Sequence, residues 1–109
     1  MRSEKAVLTF LIVFALSAGT VYSAKAGGAA SIDRGKALFS DARLGTNGRS
    51  CNDCHQNGKG MDSAANRPDL PKMVNGCIAR ALKGPALDER SAEMESLVLY
   101  IRSFGKQGR

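Results

Sequence analysis

The stretch Cys51-Asn52-Asp53-Cys54-His55 holds two of the chain's three cysteines and its single histidine. Cys51 and Cys54 stand at i and i+3, so one helical turn brings both sulfurs to the same side. On either side, Asp41–Ser50 and Gln56–Arg67 are polar, glycine-bearing segments that read as loops. Helical patterns begin beyond them. Ser31 can cap a helix running to about Ser40, with Ile32, Gly35, Ala37, Leu38 and Phe39 on a partly apolar face. Pro71 suits a first helical turn, and Val74, Cys77, Ile78, Ala81 and Leu82 recur at helical spacing until Lys83-Gly84-Pro85. Ser91 can cap a last helix, in which Met94, Leu97, Val98, Ile101 and Phe104 repeat at i, i+3, i+4, i+7 and Gly105 can close the end. No stretch alternates as a strand. The reading is all-α, three to four helices with long loops, and loops of that length in a small domain imply that something other than chain fills the middle.

The N-terminal part reads as an address. Met1–Lys5 is short and basic, Ala6–Ala24 carries no charge, and Ala24-Lys25-Ala26 is an A-x-A site. Residues 1–26 therefore read as a secretory signal peptide, with an uncleaved membrane anchor as the alternative, because the uncharged stretch approaches the ~20 residues that span hydrocarbon. On either reading the remainder works outside the cytoplasm, in a periplasm or an equivalent exported setting, and membrane association arises only if the segment stays uncleaved. Residues 27–109 form one domain that keeps 13 of the 16 basic and 9 of the 10 acidic residues, a net charge of +4. The charge is dispersed rather than gathered in a run, which argues against nucleic-acid binding and leaves a mild positive field able to steer an acidic partner. Across the whole chain, only six aromatic residues and no tryptophan predict a thin core.

Two thiols placed as Cys51 and Cys54 are can add to the two vinyl groups of one haem, and His55 can then turn its imidazole onto the iron. The C-x-x-C-H spacing reads as covalent c-type haem attachment, one haem c per chain. An exported chain, a small size and an insufficient core agree with it. Three other readings are weaker. A thioredoxin-like dithiol wants a βαβ setting, which is absent here. A zinc ion would need adjacent Cys54 and His55 to share one tetrahedron. A plain Cys51–Cys54 disulfide leaves His55 idle.

At these residues the chain resembles the class I c-type cytochromes. The resemblance runs over most of Ser31–Phe104 and includes Gly35-Lys36-Ala37-Leu38-Phe39, Cys51-Asn52-Asp53-Cys54-His55, Pro68-Asp69-Leu70 and Leu97-Val98-Leu99-Tyr100-Ile101. It implies a cytochrome c-like fold in which the first and last helices cross, Gly35 and Phe39 meeting Leu97, Tyr100 or Ile101. It also implies that the backbone carbonyl near Pro68 accepts the other ring N–H of His55. The family usually draws its sixth iron ligand from a Met in the loop before the last helix. Here that loop, Lys83–Arg90, has no Met.

The distal candidates are therefore Cys77, Met94, Met73, Met61, Lys83 in the usual ligand loop, water, or an open position. Met94 also reads as plain core packing with Leu97 and Val98, and Cys77 as a small buried apolar residue. Met73–Leu87 followed by Ser91-Ala92-Glu93-Met94 resembles a segment of the thiosulfate dehydrogenase cytochromes, which implies Cys77 as an axial thiolate. Cys77 follows His55 by only 22 positions, a shorter interval than in that family. A thioether would raise the iron's potential and a thiolate would lower it.

The function expected is single-electron transfer between redox partner proteins, with no catalytic residue and no enzymatic activity. The alternative is a haem–thiolate enzyme or subunit of thiosulfate oxidation. A non-catalytic haem sensor or a redox anchor within a complex is a third.

Overall fold

The computed structural model describes residues 28–107, and the expected signal peptide lies outside them. The described residues are all-helical, without a strand. Four α-helices follow one another: α1 (Ile32–Phe39), α2 (Cys51–Cys54), α3 (Leu70–Arg80) and α4 (Ala92–Gln107). Short 3-10 turns at Ala42–Leu44 and Gln56–Gly58 interrupt the two loops flanking α2. None of the helices is long and apolar enough to cross a membrane.

Each start has a local cause. The Ser31 hydroxyl accepts the Arg34 N–H at 3.0 Å and the Ser91 hydroxyl accepts the Met94 N–H at 3.1 Å, satisfying donors that a helix leaves unpaired in its first turn. Pro71 occupies the first turn of α3, where its missing N–H costs nothing. That helix stops at Arg80, earlier than Lys83-Gly84-Pro85 suggested. The Thr46 N–H then donates to the Leu82 carbonyl at 2.8 Å and the Asn47 amide to the Ala81 carbonyl at 2.9 Å, so the loop before α2 supplies the partners of the α3 terminus.

Gly105 does not close α4, which runs through it to Gln107. The glycine serves close approach instead: a Cβ there would sit 2.8 Å from the Cβ of Ala65.

Helices α1 and α4 cross at Gly35. A Cβ on Gly35 would run into the Ser96 carbonyl and come within 2.8 Å of Tyr100 Cβ, so only glycine lets the two backbones meet. Phe39 packs edge-on against Tyr100 with ring centroids 5.2 Å apart, and Tyr100 meets Phe104 in the same way at 4.9 Å. The buried core joins Phe39 of α1, Leu70, Val74 and Ile78 of α3 and Leu82 just beyond it, with Met94, Leu97 and Ile101 of α4.

Candidate functional site

Ser50 and Asp53 shape the turn that carries the cysteines. The Asp53 carboxylate accepts the Ser50 N–H at 2.6 Å and its hydroxyl at 3.2 Å, tying down the start of α2 with a negative charge at the helix's positive end. The chain then reverses. Asn57 and Gly58 both take left-handed backbone, the Asn52 side chain accepts the Asn57 N–H at 3.0 Å, and the Phe104 ring lies where a Gly58 Cβ would be. This reversal brings the Lys59 carbonyl 3.0 Å from His55 Nδ1. A carbonyl only accepts, so Nδ1 is the donor, and in the neutral ring Nε2 carries the lone pair. The partner is Lys59, not the carbonyl near Pro68 that the resemblance implied. The left-handed pair Asn57-Gly58 turns the chain back onto the ring within four residues, well before Pro68 is reached.

Cys51, Cys54 and His55 line one cleft that is partly open to solvent. Apart from them its walls are almost wholly apolar, drawn from Phe39, Leu70, Val74, Leu82, Leu97 and Ile101 among others. Cys77, Met73 and Met61 line it as well. On α3, Leu70 and Val74 are buried and also reach the cleft, Ile78 is buried away from it, and Met73 and Cys77, one position before Val74 and Ile78, border it from a more exposed side. Cys77 is correspondingly exposed, not enclosed as a core residue.

Met94 stands elsewhere. It is 0% exposed, sits among the core residues and does not appear on the cleft wall. Lys83, in the usual ligand loop, is likewise off the wall, in left-handed backbone. The loop beyond it is clamped to α3. The Asn75 side chain donates to the Leu87 carbonyl and accepts the Leu87 N–H, each at 2.8 Å, as a second backbone strand would.

Burial pushes the Cys51 thiol up to about 11, with the Cys77 and Cys54 thiols adding to the rise. Among the described residues no three His, Cys, Asp or Glu side chains converge to hold a metal ion. Sequence reasoning did not single out Lys59 or Asn75: one contributes a backbone carbonyl and the other a loop clamp, and neither role leaves a compositional mark. The cleft brings two thiols and one imidazole together on an otherwise apolar wall.

Comparison of the chain with protein-family models, with curated proteins and with solved structures returned no match.

Proposed function

We propose that this chain is an exported single-haem c-type cytochrome with a cytochrome c-like fold, passing single electrons between redox partner proteins. The observation that carries the reading is the meeting of Cys51, Cys54 and His55 on one apolar cleft, with Nδ1 of His55 engaged by the Lys59 carbonyl. The donor set fits a haem. Cys51 and Cys54 would hold it as thioethers, His55 Nε2 would bind its iron, and Phe39, Leu97 and Ile101 would exclude water from its faces. The bound group supplies Fe(III)/Fe(II) one-electron chemistry. The chain's own work is to bind it, orient the imidazole and leave an edge accessible beside exposed Cys54. No general acid or base is needed, because the sole histidine is committed to iron.

Cys77, Met73 and Met61 also line the cleft, and they are the sulfur residues that would be candidates for a second iron ligand. Cys77 on the wall is the specific observation that favours the second reading, a haem–thiolate subunit or enzyme of thiosulfate oxidation. The two readings separate with purified protein. Expression in a host competent for c-type maturation should yield a red protein whose haem stain survives denaturation; a colourless, stain-negative protein overturns both. Turnover of thiosulfate with an artificial acceptor would favour the enzyme, and its absence the carrier.

A further inference from the structure

The loop that faces His55 has no helix of its own, and the last turns of α4 hold it from behind. The Arg102 guanidinium donates to two of its carbonyls, from Nη1 to Ala65 at 3.1 Å and from Nη2 to Arg67 at 3.3 Å. Ala65 is 1% exposed, so its carbonyl depends on a protein donor. One planar fork serving two carbonyls fixes the direction of the loop as well as its position. From Ala65 the hydrogen bonds run back toward the imidazole. Ala65 N–H donates to the Met61 carbonyl at 2.9 Å, Met61 N–H to Gly58 at 2.8 Å, and Gly58 N–H to His55 at 2.9 Å. Lys59, whose carbonyl takes the His55 Nδ1 proton, lies inside this chain of bonds and is itself exposed.

We propose that Arg102 is a positioning residue for His55: by anchoring the 59–67 loop on α4 it keeps the Lys59 carbonyl on Nδ1 and thereby sets the donor strength of the imidazole toward iron. The proposal rests on the haem reading above. A firmly held Nδ1–H···O=C bond makes Nε2 more basic and favours Fe(III). Loosening the loop weakens that bond and raises the potential. The sign is diagnostic, because removing a positive charge without moving the imidazole would stabilise Fe(III) and lower the potential instead.

The test uses the haem-loaded protein, with Arg102→Met and with Arg102→Gln, which keeps a donor for one carbonyl. Arg102→Met is expected to raise the midpoint potential and to speed exchange of the His55 Nδ1 proton, followed by NMR, by about tenfold or more through local opening. Arg102→Gln is expected to fall between Arg102→Met and the wild type, and it decides alone should Arg102→Met not fold. A potential that is unchanged or lowered, or an unchanged exchange rate, overturns the role of Arg102 even if the melting temperature drops. A wild-type protein that carries no covalent haem is a different failure: it removes the haem reading, and this proposal with it.

Discussion

Met94 and Cys77 both looked like iron ligands in the sequence, and their surroundings separate them. Met94 is wholly enclosed by core side chains, whereas Cys77 borders the cleft. Met94→Leu is a near volume-conserving swap that should cost under ~1.5 kcal/mol and leave the absorption spectrum of the oxidised protein as it was. Cys77→Ala is expected to change that spectrum, since it removes a sulfur from the cleft wall; a change in the first and none in the second would reverse the assignment. Cys51 is testable by titration in a haem-free chain. Its thiol is pushed up from 9.0 to about 11, chiefly by burial. Folding therefore favours the neutral thiol, and this contribution to stability is whole below about pH 9 and fades as pH rises toward 11. Since only the thiolate alkylates, the rate at Cys51 should go on climbing about tenfold per pH unit up to about pH 10. A rate that levels off near pH 9, read by mass spectrometry of the labelled peptide, would contradict that burial.

The element that organises the fold is the α1–α4 crossing. Phe39, 1% exposed, fills the angle between the helices and also reaches the cleft. Phe39→Ala should cost about 3–5 kcal/mol in urea unfolding, transfer and cavity terms together. Gly35→Ala adds only a methyl, yet it drives a Cβ into the Ser96 carbonyl, and the forced separation should cost about 1–3 kcal/mol or more. Equal stability of Gly35→Ala and wild type would mean that the helices do not cross at this residue. Element by element, much of this was open to sequence reasoning: Ser31, Pro71 and Ser91 mark the helix starts by chemistry that acts within one turn. Two ends were not. Thr46 and Asn47 from another loop take up the carbonyls just beyond Arg80, and Gly105 lies inside α4, where its missing Cβ leaves room for Ala65.

Among the described residues, four helices border an apolar cleft. On the haem reading, the domain is short of core until that cleft is filled. The Cys51→Ala/Cys54→Ala protein, unable to attach haem, is expected to melt well below the loaded protein and to bind an apolar dye such as ANS, because a ligand held by the native state alone stabilises it. Equal melting temperatures, measured by circular dichroism, would show that the cleft contributes nothing to stability and would weaken the haem reading.

The chain by itself determined the pattern Cys51-x-x-Cys54-His55, the helical periods and the caps, because each depends on residues within a turn or two of one another. It also pointed to the Gly35–Phe39 face as one side of the crossing, through the resemblance its residues carry. The tertiary structure alone decided three things. It turned Ile78 of α3 into the core while leaving Leu70, Met73, Val74 and Cys77 on the cleft wall, which follows from how the other helices pack against α3. It gave His55 the Lys59 carbonyl, through two left-handed residues backed by Phe104. It also sent the sulfur of Met94 to the core and that of Cys77 to the cleft, a choice made by packing between distant segments.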